Sequence, residues 1–343
     1  MSLEDRIKSQ ASALGFELSG IARLGPAESA PLFEQWLAKG FAGGMTYLAR
    51  GAGKRADPSS VYVNVKSAVV VGMNYGGTAP AGPVARYARG DDYHDVMTQR
   101  LRTLHAWLSS ETGRDIGGKA YVDTGPILER DLARKAGLGW FGKNTMLVNP
   151  ELGSFFFIGA LLIDLELEPD APFEADRCGT CTRCLDACPT EAFVAPRVLD
   201  ATRCISYLTI ELKGDIPKAW HNAVGENVYG CDICQDVCPW NIRFSRALPD
   251  DSPYASRPAI AGKDSRQLAL EMLARSPDDF SAEFKGSPMK RAKLRGLKRN
   301  AAVVLGNVGT ADDVEVLTRA LDDEEPLVRE HAAWALDVLS ARR

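Results

Sequence analysis

All eight cysteines of this 343-residue chain fall between Cys178 and Cys238, and their spacing is the strongest chemical signal in it. The first run, CGTCTRCLDACP at residues 178–189, is C-x2-C-x2-C-x3-C-P. That is two-cluster ferredoxin spacing, in which three thiolates hold one 4Fe–4S cube and the fourth reaches a second. The second run, CDICQDVCP at residues 231–239, repeats the last three cysteine positions, and its expected first cysteine falls on Val228. Cys204 is the thiol left to fill that vacancy. The spacing therefore assigns Cys178, Cys181, Cys184 and Cys238 to one cube, and Cys188, Cys204, Cys231 and Cys234 to the other. Structural zinc uses wider gaps between its ligand pairs, and a disulfide knot belongs to secreted chains. Two cubes in line conduct single electrons; they name no substrate.

Such a conduit needs only a small part of the chain, so the flanking segments must supply the acceptor. The sequence reads as an α+β multidomain protein divided at residues 1–168, 169–250 and 251–343. In the first part, strand-like runs are SAVVVGMNY (67–75), KAYVDT (119–124), TMLVN (145–149) and the apolar segment after Gly153. Residues 96–111 read as a helix with Val96, Leu101, Leu104, Trp107 and Leu108 roughly on one face. The acidic, proline-bearing stretch LELEPDAPFEAD links this α/β region to the cassette.

After the cassette, the connector ALPDDSPYASRP leads to a helical tail. LKRNAAVVL at Leu297 and VREHAAWAL at Val328 align at a period of 31 residues, with alanine pairs that permit close helix stacking. This suggests HEAT-like repeats or, as the plainer reading, a helical cap packed on the rest. Lys285, Lys290, Arg291, Lys293, Arg295, Lys298 and Arg299 crowd one stretch, and the next acidic residue is Asp312. In a chain of net charge −4, such a cluster points to phosphate contact. A solvated helix face balanced by Asp322–Glu325 is the competing reading.

Composition, 45% hydrophobic and 25% charged, is that of a globular protein. The opening MSLEDRIKSQASALGF has no apolar signal core and reads as an amphipathic helix. The longest apolar run, FFFIGALLI, has nine residues, far below the ~20 of a spanning helix. With reduced thiols, this implies a cytoplasmic chain with no membrane partner. Two motifs mislead. GLGWFG satisfies the dinucleotide pattern but follows a helix-like run rather than a strand. Asp92-Tyr93-His94 begins a cobalamin-ligand motif that Met97 breaks, and His94 reads equally as a surface or capping residue.

Several segments together resemble one family. YVDTGPILERDLARKAGLGWFGKNTMLVNPELGSFFFIG (121–159), RYARGDDYH (86–94), the cassette with its intervening Cys204 and the tail segment SPMKRAKLRGLKRNAAVVLGN look like the epoxyqueuosine reductases, the tRNA-modifying QueG family. The resemblance covers essentially the whole chain. It implies cobalamin (vitamin B12) in an N-terminal domain similar to nitroreductase and cobalamin-processing folds, followed by a ferredoxin-like domain with two 4Fe–4S clusters. It implies reductive removal of the epoxide oxygen of epoxyqueuosine in a tRNA anticodon stem-loop, the last step of queuosine formation, driven by an external electron donor. The matching general acid is Asp123 in VDTGP, with Asp131 as alternative; burial should raise its pKa so that it can donate near neutral pH. Cobalamin contacts are expected from Arg55, Ala88, Asp123, Asn144, Thr145, Ser154, Ser206 and Asp232, and alanine at 88 implies a cobalt without a protein ligand. Lys213, Lys290, Arg291, Arg295, Lys298 and Arg299 are the expected tRNA contacts of a monomer. A corrinoid reductase of a small molecule, such as a dehalogenase, and an electron-transfer module serving a separate catalytic subunit are the other readings.

Overall fold

The central sheet forms because its two middle strands are apolar on both faces. In the computed structural model, which describes residues 1–342, four strands pair antiparallel in the order β1-β2-β4-β3. They are β1 (Leu18–Arg23), β2 (Ser67–Asn74), β3 (Gly118–Tyr121) and β4 (Phe156–Ile163). The register sets Val70 against Ala160 and Val71 against Gly159. Every residue of β2 is buried, so its sequence runs apolar without alternation.

Alternate residues still sort between two cores. Val69, Val71, Met73, Leu161 and Ile163 pack with Ile7 of α1 (Leu3–Ala13) and with Met97, Leu101 and Leu104 of α2 (Tyr93–Thr112). Ala68, Val70, Ala160 and Leu162 pack with Leu132 and Ala133 of α3 (Glu129–Lys135). Full burial of a leucine or valine stabilises by ~1.5–3 kcal/mol, which makes this sandwich the rigid base of the first part.

The sheet is shorter than the sequence runs suggest. The 119–124 run leaves the sheet after Tyr121, because Thr124 N–H turns back onto the Val122 carbonyl at 2.6 Å. The 145–149 run contributes Leu147–Val148, paired with Trp140–Phe141 in a small hairpin. GLGWFG forms that hairpin, with α3 before it, so the dinucleotide reading fails as expected. A Cβ at Gly139 would lie 2.2 Å from the Val148 carbonyl.

In the tail the two aligned segments become α4 (Lys293–Val308) and α5 (Pro326–Ala341). They approach closely at Gly306, where a Cβ would collide with the Trp334 ring. Their core is continuous with the segment between the cysteine runs: Tyr207, Leu208, Val228 and Tyr229 share one hydrophobic cluster with Leu297, Ala301, Val304 and Leu339. Two buried histidines brace that junction. His331 Nε2 accepts from Ile216 N–H (3.2 Å), and His221 Nε2 donates to the Ile216 carbonyl (2.7 Å). Among the described residues no helix is long and apolar enough to cross a membrane.

Candidate active site

The eight thiols are all unpaired and partly buried. Their mutual repulsion sorts them. Cys184 is pushed up to about 11 by burial and then by Cys238, Cys178 and Cys181. Cys231 is pushed up to about 12 by burial, with Cys204 and Cys188 adding to it. Burial also raises Cys204, Cys234 and Cys238; Cys204 feels Cys188, and Cys238 feels Cys178 and Cys181. Cys234 feels Cys231 and Cys204 most, with Cys184 as a link between the groups. Cys184 and Cys238 are thus neighbours of Cys178 and Cys181, and Cys231 is a neighbour of Cys204 and Cys188. N–H groups already point at sulfur, Trp140 Nε1 to Cys178 Sγ (3.5 Å) and Ala192 N to Cys188 Sγ (3.4 Å). A thiolate set of this kind binds iron–sulfur clusters readily, because metal ligation removes the repulsion. Short helices, Arg183–Asp186 and Ile233–Asp236, lie within the two runs and hold their cysteines in tight turns.

The second group lies beside the Arg86–Ala88 turn. Asp232 is buried and accepts from Arg86 N (2.8 Å) and Arg86 Nη1 (3.0 Å), which fixes the Arg86–Ala88 turn to the cysteine run. Burial raises the Asp232 carboxyl, against the Arg86 hydrogen bond and charge. Ala88 is fully buried in the hydrophobic cluster that also packs Cys204, Tyr207 and Tyr229. From there Tyr229, Tyr87 and Tyr93 follow one another at ring separations of 6.3 and 6.2 Å, and Tyr93 Oη donates to Asp123 (3.0 Å). Asn144 donates to the Cys234 carbonyl (3.1 Å), and Ser154 Oγ accepts from Gln235 and Asn241. These two side chains are therefore spent bracing the second cysteine run. Thr145 has a left-handed φ of 68°, Ser206 opens the π-helical turn Tyr207–Glu211, and Arg55 is buried beside Leu48.

Asp123 sits on the turn after β3 with φ of 56°, a conformation costly for a residue with a Cβ. Its backbone N–H donates to Glu129 (2.5 Å), and its carboxylate meets Tyr93 Oη and His94 Nε2 (3.3 Å). The expected elevation of its pKa is overturned. Burial does push it up, but the His94 hydrogen bond and charge, with Tyr93, hold it below the ordinary carboxylate range. Although crowded by these groups, the side chain is 63% exposed. His94 is the partner that sequence reasoning passed over. Despite desolvation, hydrogen bonds to Asp123 and Asp92 raise it to about 9, so at neutral pH the ring carries the proton. Burial and the Asp123 charge raise Glu129 to about 8. The one available signal was the polar crowding around His94; Glu129 gave none. Asp131 is fully buried on α3, where it accepts from Ser29 N (2.9 Å) and pairs with Lys135.

The cationic stretch divides. Arg299 is a correction: it is 1% exposed, and its guanidinium donates to the carbonyls of Leu208, Leu212 and Gly214. It pins the π-helical turn instead of facing solvent. Arg291 pairs with Glu211 and stacks over Tyr47, Lys298 pairs with Asp323, and Arg295 lies 3.9 Å from Glu325. Lys213, Lys285 and Lys293 are exposed and Lys290 is partly exposed.

Residues 55–124 match the family profile described as "Epoxyqueuosine reductase QueG, DUF1730", and residues 177–241 match "4Fe-4S double cluster binding domain". The chain is 40% identical to the epoxyqueuosine reductase of Pseudomonas aeruginosa, across 97% of this chain and 94% of that protein. It is 39% identical to that of Escherichia coli K12, across 99% of this chain and 90% of that protein. A crystal structure of an epoxyqueuosine reductase with a tRNA-Tyr epoxyqueuosine-modified stem loop superposes with a TM-score of 0.89 at 33% identity, covering 98% and 90% of the two chains. The Bacillus subtilis enzyme, solved with its catalytic aspartate loop swung out of the active site, superposes at 0.85 and 30% identity, covering 98% and 90%. With relatives this similar along nearly its full length, the chain belongs to the epoxyqueuosine reductase family.

Proposed function

We propose that this chain reduces epoxyqueuosine in tRNA to queuosine, two electrons and two protons carrying the epoxide oxygen away as water. The eight cysteines would hold two 4Fe–4S clusters, the Cys178 set outermost and the Cys188 set beside the Arg86–Ala88 turn. A cobalamin bound there would supply a strongly reducing cobalt to the epoxide carbon. Arg55, Thr145 and Ser206 offer polar groups for its amide rim, while Asn144, Ser154 and Asp232 brace the second cysteine run. Ala88 presents no donor atom, so no protein ligand is expected on that side. The α/β part would be the cobalamin-binding domain and the tail a HEAT-like repeat pair.

His94 and Asp123 act together as the proton source. The imidazolium stores the proton, and the exposed carboxylate passes it to the departing oxygen. Glu129 holds the strained Asp123 turn through its backbone N–H. Lys213, Lys290, Arg291, Arg295 and Lys298 would meet tRNA phosphates, with Arg291 and Lys298 exchanging their carboxylate partners for phosphate. Arg291 lies against Tyr47, and the nucleoside would splay from its loop to reach Asp123.

The observation that carries this reading is the run of Tyr229, Tyr87 and Tyr93 from the core around Cys204 to Asp123. Anaerobically reconstituted protein should show a corrinoid visible band and convert epoxyqueuosine-tRNA, followed by nucleoside mass spectrometry. Full turnover by Asp123→Ala would remove Asp123 from the mechanism; failure to bind a corrinoid would leave an electron carrier.

A further inference from the structure

The outer thiol group is covered by a feature that neither proton delivery nor tRNA contact uses. Phe173, Trp140, Trp240 and Phe244 stand in a row, with ring centroids 5.5, 4.9 and 5.4 Å apart. Trp140 directs its indole N–H at Cys178 Sγ, and Trp240 donates to the Arg177 carbonyl (3.2 Å). Each end of the row carries an exposed guanidinium: Arg177 over Phe173 at 5.4 Å and Arg243 over Phe244 at 5.1 Å. Ile242, on the same short helix as Trp240, is 67% exposed.

Two neighbouring carboxylates are engaged elsewhere, which leaves exposed Glu174 against Arg177, Arg183 and Arg243. Asp176 pairs with Arg197 (2.5 Å) and accepts from Cys178 N, and Asp186 is held by Thr182. Next to the outer thiols Arg177, Gly179, Thr180 and Arg183 are exposed; next to the inner ones Ile205, Gly230, Asp232 and Gln235 are buried, with Pro189 and Arg203 exposed. A protein donor must come close to the cluster it reduces, so the outer group is its natural target. An exposed apolar residue rimmed by arginines is the composition of a transient interface centre. Its charge selects an acidic partner.

Resting on the proposed reductase reading, we infer that the surface formed by Arg177, Trp240, Ile242 and Arg243 is the electron entry port, docking a small acidic one-electron carrier. Each encounter moves one electron from the reduced carrier to the outer cluster; two encounters supply the pair consumed per epoxide. Carrier oxidation, cluster reduction and the two protons taken up to form water balance.

The test uses this chain loaded with its clusters and cobalamin and a plant-type 2Fe–2S ferredoxin, which is acidic. Titration calorimetry with oxidised ferredoxin reads binding without electron transfer. Arg177→Glu/Arg243→Glu should weaken binding and slow cluster reduction by reduced ferredoxin about tenfold or more, an effect that shrinks as salt rises. Iron content and dithionite-driven turnover should stay unchanged. If the reversal disturbs cluster loading, Arg177→Gln/Arg243→Gln should still weaken ferredoxin binding by about threefold. Unaltered binding and reduction in these variants, or no binding by the wild type, overturns the port. Absence of dithionite-driven turnover in the wild type would instead sink the reductase reading.

Discussion

The cysteine cassette and the cationic tail were both conspicuous in the sequence, yet only one kept its expected role intact. Cluster ligands are counted along the chain, and a tight turn after C-x2-C leaves few ways to arrange three sulfurs. The spacing proposes two sets of four, with Cys204 standing in for the cysteine missing at Val228. A run of cations imposes no such geometry. On α4 successive residues point in different directions, so Arg299 turns into the core while Lys293 and Arg295 face solvent. Local stoichiometry is readable; presentation is not.

The sharpest way to break this contrast is in the cassette. Cys234→Ser should lose about half the iron and abolish turnover, read by iron assay and nucleoside mass spectrometry. Retention of full iron would dissolve the two-set assignment. Next, Asp123→Asn should lower turnover by roughly 10²–10⁴-fold with tRNA affinity unchanged. The wild-type rate should hold to about pH 8 and fall above about 9, as His94 releases the proton it keeps below its raised pKa.

In the tail, Arg299→Met should cost ~3 kcal/mol, because one buried and two partly buried carbonyls lose their donor. Thermal unfolding measures it. A tRNA-binding defect with no loss of stability would restore Arg299 to the surface group. His331 is held down to about 4 by burial, below its ordinary 6.5. Between those values the unfolded chain takes up a proton that the folded one refuses, so stability falls as pH drops, by ~3 kcal/mol at most from this group. His331→Gln should flatten that part of the denaturation profile. The smallest effect belongs to the exposed cations. Lys213→Ala/Lys290→Ala should reduce tRNA affinity several-fold and the salt slope by ~1–2, leaving melting unchanged.

Much of the first part was legible for the same reason as the cassette. An unbroken apolar run such as SAVVVGMN has one stable use, a strand buried on both faces, and α2 kept its apolar stripe at Leu101, Leu104 and Leu108. The 119–124 run was read too long, because the turn at Asp123 is made by a short backbone contact and by Glu129, neither of which alters hydrophobic pattern. Asp123 itself was found through family resemblance. Its ionisation was misjudged, since burial could be guessed from sequence but the imidazole beside it could not.

By itself, then, the sequence determined the electron-carrying inventory, the sheet's core strands and the α-helical nature of the tail, all of which depend on order and periodicity along the chain. The tertiary structure alone decided that His94 meets Asp123 across 29 positions of sequence, that Arg299 faces inward, and that an arginine-capped aromatic row overlies Cys178. Those facts depend on which surfaces meet in space, where charge, desolvation and hydrogen bonding act over a few ångströms irrespective of chain distance.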